Sequence, residues 1–178
     1  MADLTFNTTS GLTIDREAMI LCLNTGSAGS PTWSVIGKRV EDSSAEYDWQ
    51  DESSKDIIGN TFGVMKKPII SQTFDPWPLD AGDPAAVKIW NLAVKDQDAQ
   101  ALANQDILVV HKYAGTASTP WAERYSASMV KVTSIGGEGG GQIEIATEVT
   151  YGGTRTLGTA SISAQGVITF SAASGATS

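Results

Sequence analysis

Side chains that could serve as a nucleophile or a general base are scarce in this sequence. It contains one histidine, His111, and one cysteine, Cys22. A serine or cysteine hydrolase needs a base beside its nucleophile, and both residues lie in apolar runs that are typical of strands. We therefore expect a structural role for His111, a small core side chain in Cys22 and no enzymatic activity. A single cysteine also excludes an internal disulfide and a multi-cysteine zinc site.

Two further segments resemble ligand-binding motifs and fail on residue type. Asp96 and Asp98 could begin a calcium loop, but its sixth position is Ala101 instead of glycine, and its twelfth is Ile107 instead of glutamate. The glycine cluster 136–141 lacks the Lys-Ser/Thr of a phosphate loop and joins two strands, so it indicates a flexible hairpin tip. Carboxylates are numerous, but no pair stands out as a glycosidase pair. We expect neither a cofactor nor a metal.

The composition predicts one folded, β-rich domain with an acidic surface. The chain has 178 residues, 41% of them hydrophobic and 18% charged, which fits a folded protein and not a disordered one. The net charge is −8, and basic residues pair only at 38–39 and 66–67, so a tight nucleic-acid-binding surface is not expected. The first residues do not resemble a secretion signal, and no apolar run approaches the roughly 20 residues of a membrane span. We expect a protein of the reducing cytoplasm.

The elements are organised around a strand at 69–75 that two prolines, Pro76 and Pro78, bring to an end. A helix is predicted over 84–96, because Asp83 is a natural N-cap and Pro84 suits the first helical position. Other strands are predicted at 18–24, 33–40, 57–66, 106–113, 121–135, 142–151, 154–163 and 167–170. In the strand 142–151, Glu144 and Glu148 share a polar outer face. Its partner changes phase, which predicts a β-bulge near Met129.

The segment 41–56 carries seven of the twenty acidic residues, with only Lys55 to balance them. It also contains Tyr47 and Trp49, and aromatic side chains dominate interface hot spots. A long loop in a compact domain is usually functional or disordered, so we predict an acidic interaction loop. Residues 1–17 are predicted to form an N-terminal arm, residues 18–170 the β-domain and residues 171–178 a loose C-terminal arm.

Seven segments follow one another along the chain in a characteristic order and at characteristic spacings. They are Asp56-Ile57-Ile58-Gly59, the strand Ser71-Gln72-Thr73-Phe74-Asp75-Pro76, the helix after it, Tyr125 to Val132, Gly136-Gly137-Glu138-Gly139, Gly158-Thr159 and Gly166 to Phe170. In this arrangement the chain, from about Ala18 to Phe170, resembles the major tail tube proteins of long-tailed bacteriophages.

The resemblance implies a mainly β fold, an antiparallel β-sandwich or barrel with one flanking α-helix, long hairpins and extended N- and C-terminal arms. It implies a structural virion protein whose copies form stacked hexameric rings, with their sheets joined edge to edge into a tube. Expected partners are the tape-measure, tail-tip and tail-terminator proteins. Genomic DNA would pass through the lumen without specific binding. Such a protein is assembled in the host cytoplasm, resides in the virion tail and has no membrane partner.

Two sets of residues are candidates for these contacts. The predicted contact between rings or subunits consists of exposed residues from the acidic segment: Tyr47, Asp48, Trp49, Asp51, Glu52 and Lys55. Glu144 and Glu148 are the predicted lumen-facing residues, because an acidic wall repels the phosphates of DNA.

A carbohydrate-binding β-sandwich is the alternative interpretation. The sequence has five tryptophans and glycine-rich hairpins, and sugar-binding modules expose aromatic rings. Such modules, however, present a planar row on one face. The tryptophans here fall on different predicted elements: Trp33, Trp49, Trp77, Trp90 and Trp121.

Overall fold

The computed structural model describes residues 4–177 of the chain, and these residues form eleven strands. The strands are β1 (Met19–Asn24), β2 (Trp33–Ile36), β3 (Ala45–Asp48), β4 (Glu52–Lys55), β5 (Thr61–Val64), β6 (Ile69–Pro78), β7 (Gln105–Gly115), β8 (Pro120–Gly136), β9 (Glu144–Thr150), β10 (Arg155–Ile162) and β11 (Ile168–Thr177). The helical elements are a 3₁₀ turn (Arg16–Ala18), α1 (Pro84–Trp90), a π-helical turn (Asn91–Lys95) and α2 (Ala99–Leu102).

Two antiparallel sheets share the long strand β8. In the first sheet the order is β2-β1-β7-β8-β10-β11, and the first half of β8 contributes. In the second sheet the order is β8-β9-β6-β3, and the second half of β8, from Met129 to Gly136, contributes. The register of β8 against β7 shifts between Tyr125 and Ser128, close to the bulge predicted at Met129. This shift changes which side chains point inward as the strand passes from one sheet to the other.

Each face of the first sheet covers its own hydrophobic cluster. The larger cluster lies between the two sheets and α1, and includes Leu23, Trp77, Ile89 and Val149. The smaller cluster lies on the opposite face, where Trp33 of β2 and Ile168 of β11 belong to the same packed group. The two outermost strands therefore curl toward each other, and the first sheet is barrel-like.

Helix α1 begins where the sequence predicts. The Asp83 carboxylate accepts a hydrogen bond from Ala85 N at 3.1 Å, and Pro84 is the first helical residue. The buried face of the helix is formed by Ala85, Ala86 and Ile89. Lys88 fixes it further, since its Nζ donates to Asn24 O at the end of β1, at 2.6 Å. The π-helical turn continues α1 to Lys95, so the helical segment matches the predicted 84–96 within one residue.

The predicted fold class, a mainly β antiparallel sandwich or barrel with a flanking helix, is confirmed. The described part of the N-terminal arm runs beside the end of β7, where Asn7 N donates to Tyr113 O at 2.8 Å. Within residues 4–177, no helix is long and apolar enough to cross a membrane.

Three local predictions were wrong. The segment 41–56 is not a loop, because it contains β3 and β4. The strand predicted at 57–66 is shortened to Thr61–Val64, and residues 56–60 are the turn between β4 and β5. Residues 171–177 continue β11 instead of forming a loose arm, because their backbone pairs with the edge of β10. Ser178 lies outside the described residues.

Candidate functional site

The second sheet is the main candidate for a functional surface, and we call it the four-stranded sheet: β8 from Met129 to Gly136, β9, β6 and β3. Its inner face packs on the larger core, with Gln72, Phe74 and Trp77 of β6 buried. Its outer face carries the residues of alternate parity, which are exposed or half-buried except for the small side chain of Ala146. Residues placed opposite each other in antiparallel strands point to the same side, so the pairing register identifies the members of this outer face.

Acidic residues dominate the outer face. The register places Glu148 opposite both Thr73 and Lys131, and Glu144 opposite Pro78 and Gly136. Across β6, Glu46 and Asp48 of β3 lie opposite Ser71 and Ile69. The face thus has four carboxylates from β3 and β9 and one amine, that of Lys131, which is 3.1 Å from the Glu148 carboxylate. Glu144 and Glu148 do share the polar face, as predicted.

Both edges of the four-stranded sheet lack a neighbouring strand among residues 4–177. On one side β3 pairs only with β6, and on the other the second half of β8 pairs only with β9. A groove of about 480 Å³ lies between the β8 edge and the helical segment. Its lining is largely apolar and includes Val94, Leu102, Met129 and Ile135. Unpaired edges of this kind are templates for strand pairing with another chain.

One end of the four-stranded sheet carries a separate hairpin. Strands β4 and β5 pair only with each other among the described strands. The chain leaves the sheet after β3, forms this hairpin and re-enters the sheet at β6. At the hairpin turn, the Asp56 carboxylate accepts hydrogen bonds from Ile58 N at 3.0 Å and Asn60 N at 2.8 Å. Gly59 adopts a φ of 92°, which favours glycine. The turn holds the side chains of Ile57 and Ile58 in solvent, 105% and 79% exposed.

The six predicted contact residues are all exposed at this end, but they do not form one patch. Tyr47 lies on the inner side of β3, opposite Ile70, whereas Asp48 lies on the outer, acidic side. The Glu52 carboxylate forms an exposed ion pair with the Lys66 amine at 3.3 Å. Sequence reasoning missed the large apolar side chains of the hairpin, because their pattern resembles that of a buried strand. These exposed residues are Ile57, Ile58, Phe62, Val64 and Met65.

A buried polar cluster lies behind the same end of the sheet, centred on Glu123. His111 Nε2 contacts Glu123 Oε1 at 2.9 Å, and the other oxygen, Oε2, accepts from Tyr125 OH at 2.9 Å and Arg155 Nε at 2.6 Å. Tyr113 OH contacts His111 Nδ1 at 2.8 Å. Burial opposes ionisation of Glu123, but the bond from His111 and the Arg155 guanidinium outweigh it and lower the pKa of the carboxyl. Both ring nitrogens of His111 are therefore engaged within this cluster.

Above this cluster is a pocket of about 580 Å³ with aromatic walls. Tyr47 and Trp49 stack with ring centroids 6.4 Å apart, and Tyr125 and Tyr151 stack at 4.9 Å. Burial raises the pKa of Tyr125 and of Tyr151, so both phenols stay neutral hydrogen-bond donors. The sequence offers no local signal for this pocket, because its lining residues come from separate strands and turns.

The charged lining of this pocket is basic. Lys67 and Arg155 both line it, and no carboxylate does among the described residues. The charge of this lining is therefore opposite in sign to the net charge of the chain, which is −8. Trp33 and Trp77 are buried in the two cores, so the five tryptophans do not form the planar row of a sugar-binding face. Within residues 4–177, no group of three or more His, Cys, Asp and Glu side chains could hold a metal ion.

The opposite end of the four-stranded sheet carries the glycine-rich tip that joins β8 to β9. All residues from Gly136 to Gln142 are exposed. Gly141 N donates to Glu138 O at 2.9 Å, and a Cβ on Gly137 would lie only 2.1 Å from Gln142 O. The glycine at position 137 is therefore required for the tight turn, and Glu138 is the single charged side chain of residues 136–143.

Comparisons with known proteins support the fold. A scan of protein-family models finds no match, and a search of curated proteins finds no similar sequence. Among solved structures, the chain is similar to the PVC sheath/tube terminator of an extracellular contractile injection system in its extended state. The TM-score is 0.52 at 11% identity, covering 84% of this chain and 99% of that one. A PVC sheath–tube complex in the extended state gives a TM-score of 0.46 at 12% identity, over 92% and 95% of the chains. The likeness to the terminator shows that the two chains share a fold.

Proposed function

We propose that this chain is a non-enzymatic structural subunit of a phage-tail-like tube. Six copies form a ring, rings stack into a hollow tube, and the tube conducts DNA during delivery to a host. The partners are further copies of the chain together with tape-measure, tail-tip and tail-terminator proteins, and the protein resides in the virion tail. The structural similarity to a sheath/tube terminator supports a place in such a particle.

The observation that carries the proposal is the pair of unpaired edges on the four-stranded sheet. A strand edge left open invites aggregation, and proteins usually cover or interrupt it. Here β3 and the second half of β8 are at opposite edges of one sheet. Pairing the β3 edge of one copy with the β8 edge of the next is a head-to-tail contact, and repeated rotation closes such contacts into a ring. Ring closure would leave neither edge of the four-stranded sheet open.

The acidic outer face supports the assignment of this face to the lumen. DNA carries about one negative charge per 1.7 Å of axis, so a wall of carboxylates would keep it from adhering. Glu144 and Glu148 belong to this face, and only Lys131 opposes them there. In the proposed tube, the core side of the sheet faces outward and the acidic side lines the channel.

The β4–β5 hairpin and the exposed residues around it are the proposed contact with the next ring. The hairpin lies beyond the end of the sheet, which is the direction in which rings would stack. Its solvent-exposed apolar side chains, Ile57 and Ile58 above all, would gain about 1.5–3 kcal/mol each if they were fully buried by a neighbour. Of the predicted contact set, Glu52 and Lys55 are on this hairpin, while Tyr47 and Trp49 are at its base.

A variant of the β8 edge tests the proposal. Met129 and Ile135 are 43% and 44% exposed and line the groove beside that edge. Met129→Lys with Ile135→Lys should abolish assembly, because charges on an edge oppose strand pairing, while the circular dichroism spectrum stays that of the wild type. Val167→Lys is the matched control, since Val167 is 62% exposed in the β10–β11 turn. Equal sedimentation of the edge variant and the wild type, both as assemblies, would refute pairing through this edge.

The lumen assignment has its own test. Glu144→Lys with Glu148→Lys should leave tubes intact and slow DNA ejection from particles that contain the variant, because phosphates would bind the reversed face. The rate of DNA release, measured by dye fluorescence, is compared with that of Glu17→Lys, a reversal at an exposed residue outside the sheet. Unchanged ejection from the double variant would contradict a lumen-facing position.

A further inference from the structure

The two ends of the four-stranded sheet are chemically complementary. One end has the aromatic pocket with Lys67 and Arg155, and the other has the glycine-rich tip with Glu138. Strand β6 runs from Ile69, next to the pocket, to Pro78, where Leu79 N donates to Ile143 O at the base of the tip. Ten residues at about 3.3 Å each separate the ends by about 30 Å. A copy therefore cannot place its own tip in its own pocket.

The basic side chains of the pocket are suited to binding a carboxylate. Arg155 donates through Nε to Glu123, and its side chain remains 40% exposed, so part of the guanidinium can contact a second anion. Glu123 is itself satisfied by His111 and Tyr125, which holds the guanidinium in place. Guanidinium groups of this kind bind carboxylates with paired, charge-assisted hydrogen bonds. Lys67 adds a second positive charge at the pocket.

The tip has the shape to enter such a pocket. Five glycines surround Glu138 between residues 136 and 141, so the backbone there is thin and only one long side chain projects. The aromatic walls, Tyr47 and Trp49 on one side and Tyr125 and Tyr151 on the other, offer flat apolar surfaces to that backbone. Aromatic rings make rigid contact surfaces at a low entropic cost.

We propose that this pocket binds the hairpin tip of a second copy of the chain, with the Glu138 carboxylate held by Lys67 and Arg155. The contact joins unlike ends of two copies along the strand direction, so it repeats without limit and builds stacks. It deepens the proposed function, on which it rests, by naming the residues that connect one ring to the next. The other candidate contents of the pocket, a sugar or a free acid, would leave the tip unbound.

Cross-linking between copies tests the contact. One preparation carries Lys67→Cys and a second carries Glu138→Cys, both at exposed positions outside the core. Cys22 does not interfere, because it is fully buried and burial raises its pKa to about 12. When the two are mixed under mild oxidation, the 67–138 disulfide should form several-fold more than with Ala164→Cys, an exposed turn residue, as the partner. No excess over this control would overturn the proposal.

Charge reversal gives a second, independent measurement. Glu138→Lys and Lys67→Glu should each weaken association between copies by about tenfold, which corresponds to about 1.4 kcal/mol. Combining the two in one chain should restore most of the loss, because the pair is attractive again with its signs exchanged. Association is measured by sedimentation across a concentration series. Additive losses in the combined variant would overturn the proposed pairing.

The results separate this contact from the proposed function. Hollow tubes without an excess of the 67–138 disulfide would leave the tube proposal standing and show that this contact is wrong. A cross-linked ladder from a chain with both cysteines, but without hollow particles, would support the contact and contradict the tube.

Discussion

The two halves of β8 belong to one strand and have opposite surroundings. From Trp121 to Tyr125, the strand pairs with β7 on one edge and β10 on the other, and Ala122 and Glu123 are buried. From Met129 to Gly136 it pairs only with β9 among the described strands, and one face is open to solvent. The difference indicates that the first half stabilises the fold, and in the proposed tube the second half is the part that assembles. Substitutions in the first half should lower stability, and those in the second should alter association.

The largest expected effect in this comparison comes from Glu123, in the first half. Glu123→Ala removes the shared acceptor of His111, Tyr125 and Arg155, and should lower the free energy of unfolding by about 2–3 kcal/mol, because buried polar groups lose their partner. Urea denaturation of the monomer measures it. Glu123→Gln, which keeps the shape and one acceptor oxygen, should lose less. A loss below about 0.5 kcal/mol for the alanine variant would place the cluster outside the stabilising half.

The same carboxyl makes stability depend on pH. The pKa of Glu123 is lower in the folded protein than its ordinary value of 4.5, so the folded state binds the proton less readily than the unfolded state. The stabilisation is therefore complete above that ordinary value and is lost as the pH falls through the lowered folded-state pKa. We expect the difference in unfolding free energy between wild type and Glu123→Gln to shrink as the pH falls below the ordinary value of 4.5. Urea midpoints at four pH values test this, and a constant difference throughout would contradict it.

A smaller effect is expected for one hydroxyl in the first half. Tyr125→Phe removes the bond from Tyr125 OH to Glu123 Oε2 and keeps the ring that stacks on Tyr151. The loss should be about 1 kcal/mol, the usual net contribution of one hydrogen bond. Tyr113→Phe is the matched control, since its hydroxyl contacts His111 instead of the carboxylate. If Tyr113→Phe lost much more than Tyr125→Phe, Glu123 would not be the centre of the cluster.

The smallest change in stability is expected in the second half. Lys131→Ala removes an exposed ion pair with Glu148, and such pairs contribute about 0.2–1 kcal/mol. Unfolding should therefore be nearly unchanged, while the outer face of the sheet becomes more acidic. The same urea series measures the effect. A loss above about 2 kcal/mol would remove the contrast between the two halves of β8.

The sequence predicts those elements whose pattern is decided locally. The alternation along β9 places Ile145 and Val149 inward and Glu148 outward, and Asp83 with Pro84 marks the beginning of α1. The prediction was wrong at 41–66: the predicted loop at 41–56 contains β3 and β4, and the strand predicted at 57–66 is shortened to Thr61–Val64. Ile57 and Ile58 are instead in an exposed turn, because Asp56 captures the backbone amides and the hairpin lies apart from the sheets.

The pocket and its cluster could not be predicted from the sequence. Glu123 and Arg155 are 32 residues apart, and they meet only because β8 pairs with β10 in a particular register. Tyr47 reaches the same pocket through the pairing of β3 with β6. A single sequence contains no signal for these registers.

The central claim is that copies of this chain assemble through the open edges of the four-stranded sheet. The most direct measurement is negative-stain electron microscopy across a concentration series, with the mass in solution determined on the same samples. We predict hollow rings with six-fold symmetry in end views and, at higher concentration, stacked tubes. Compact monomers at every concentration up to the solubility limit, with the same mass for wild type and the β8-edge variant, would contradict the claim.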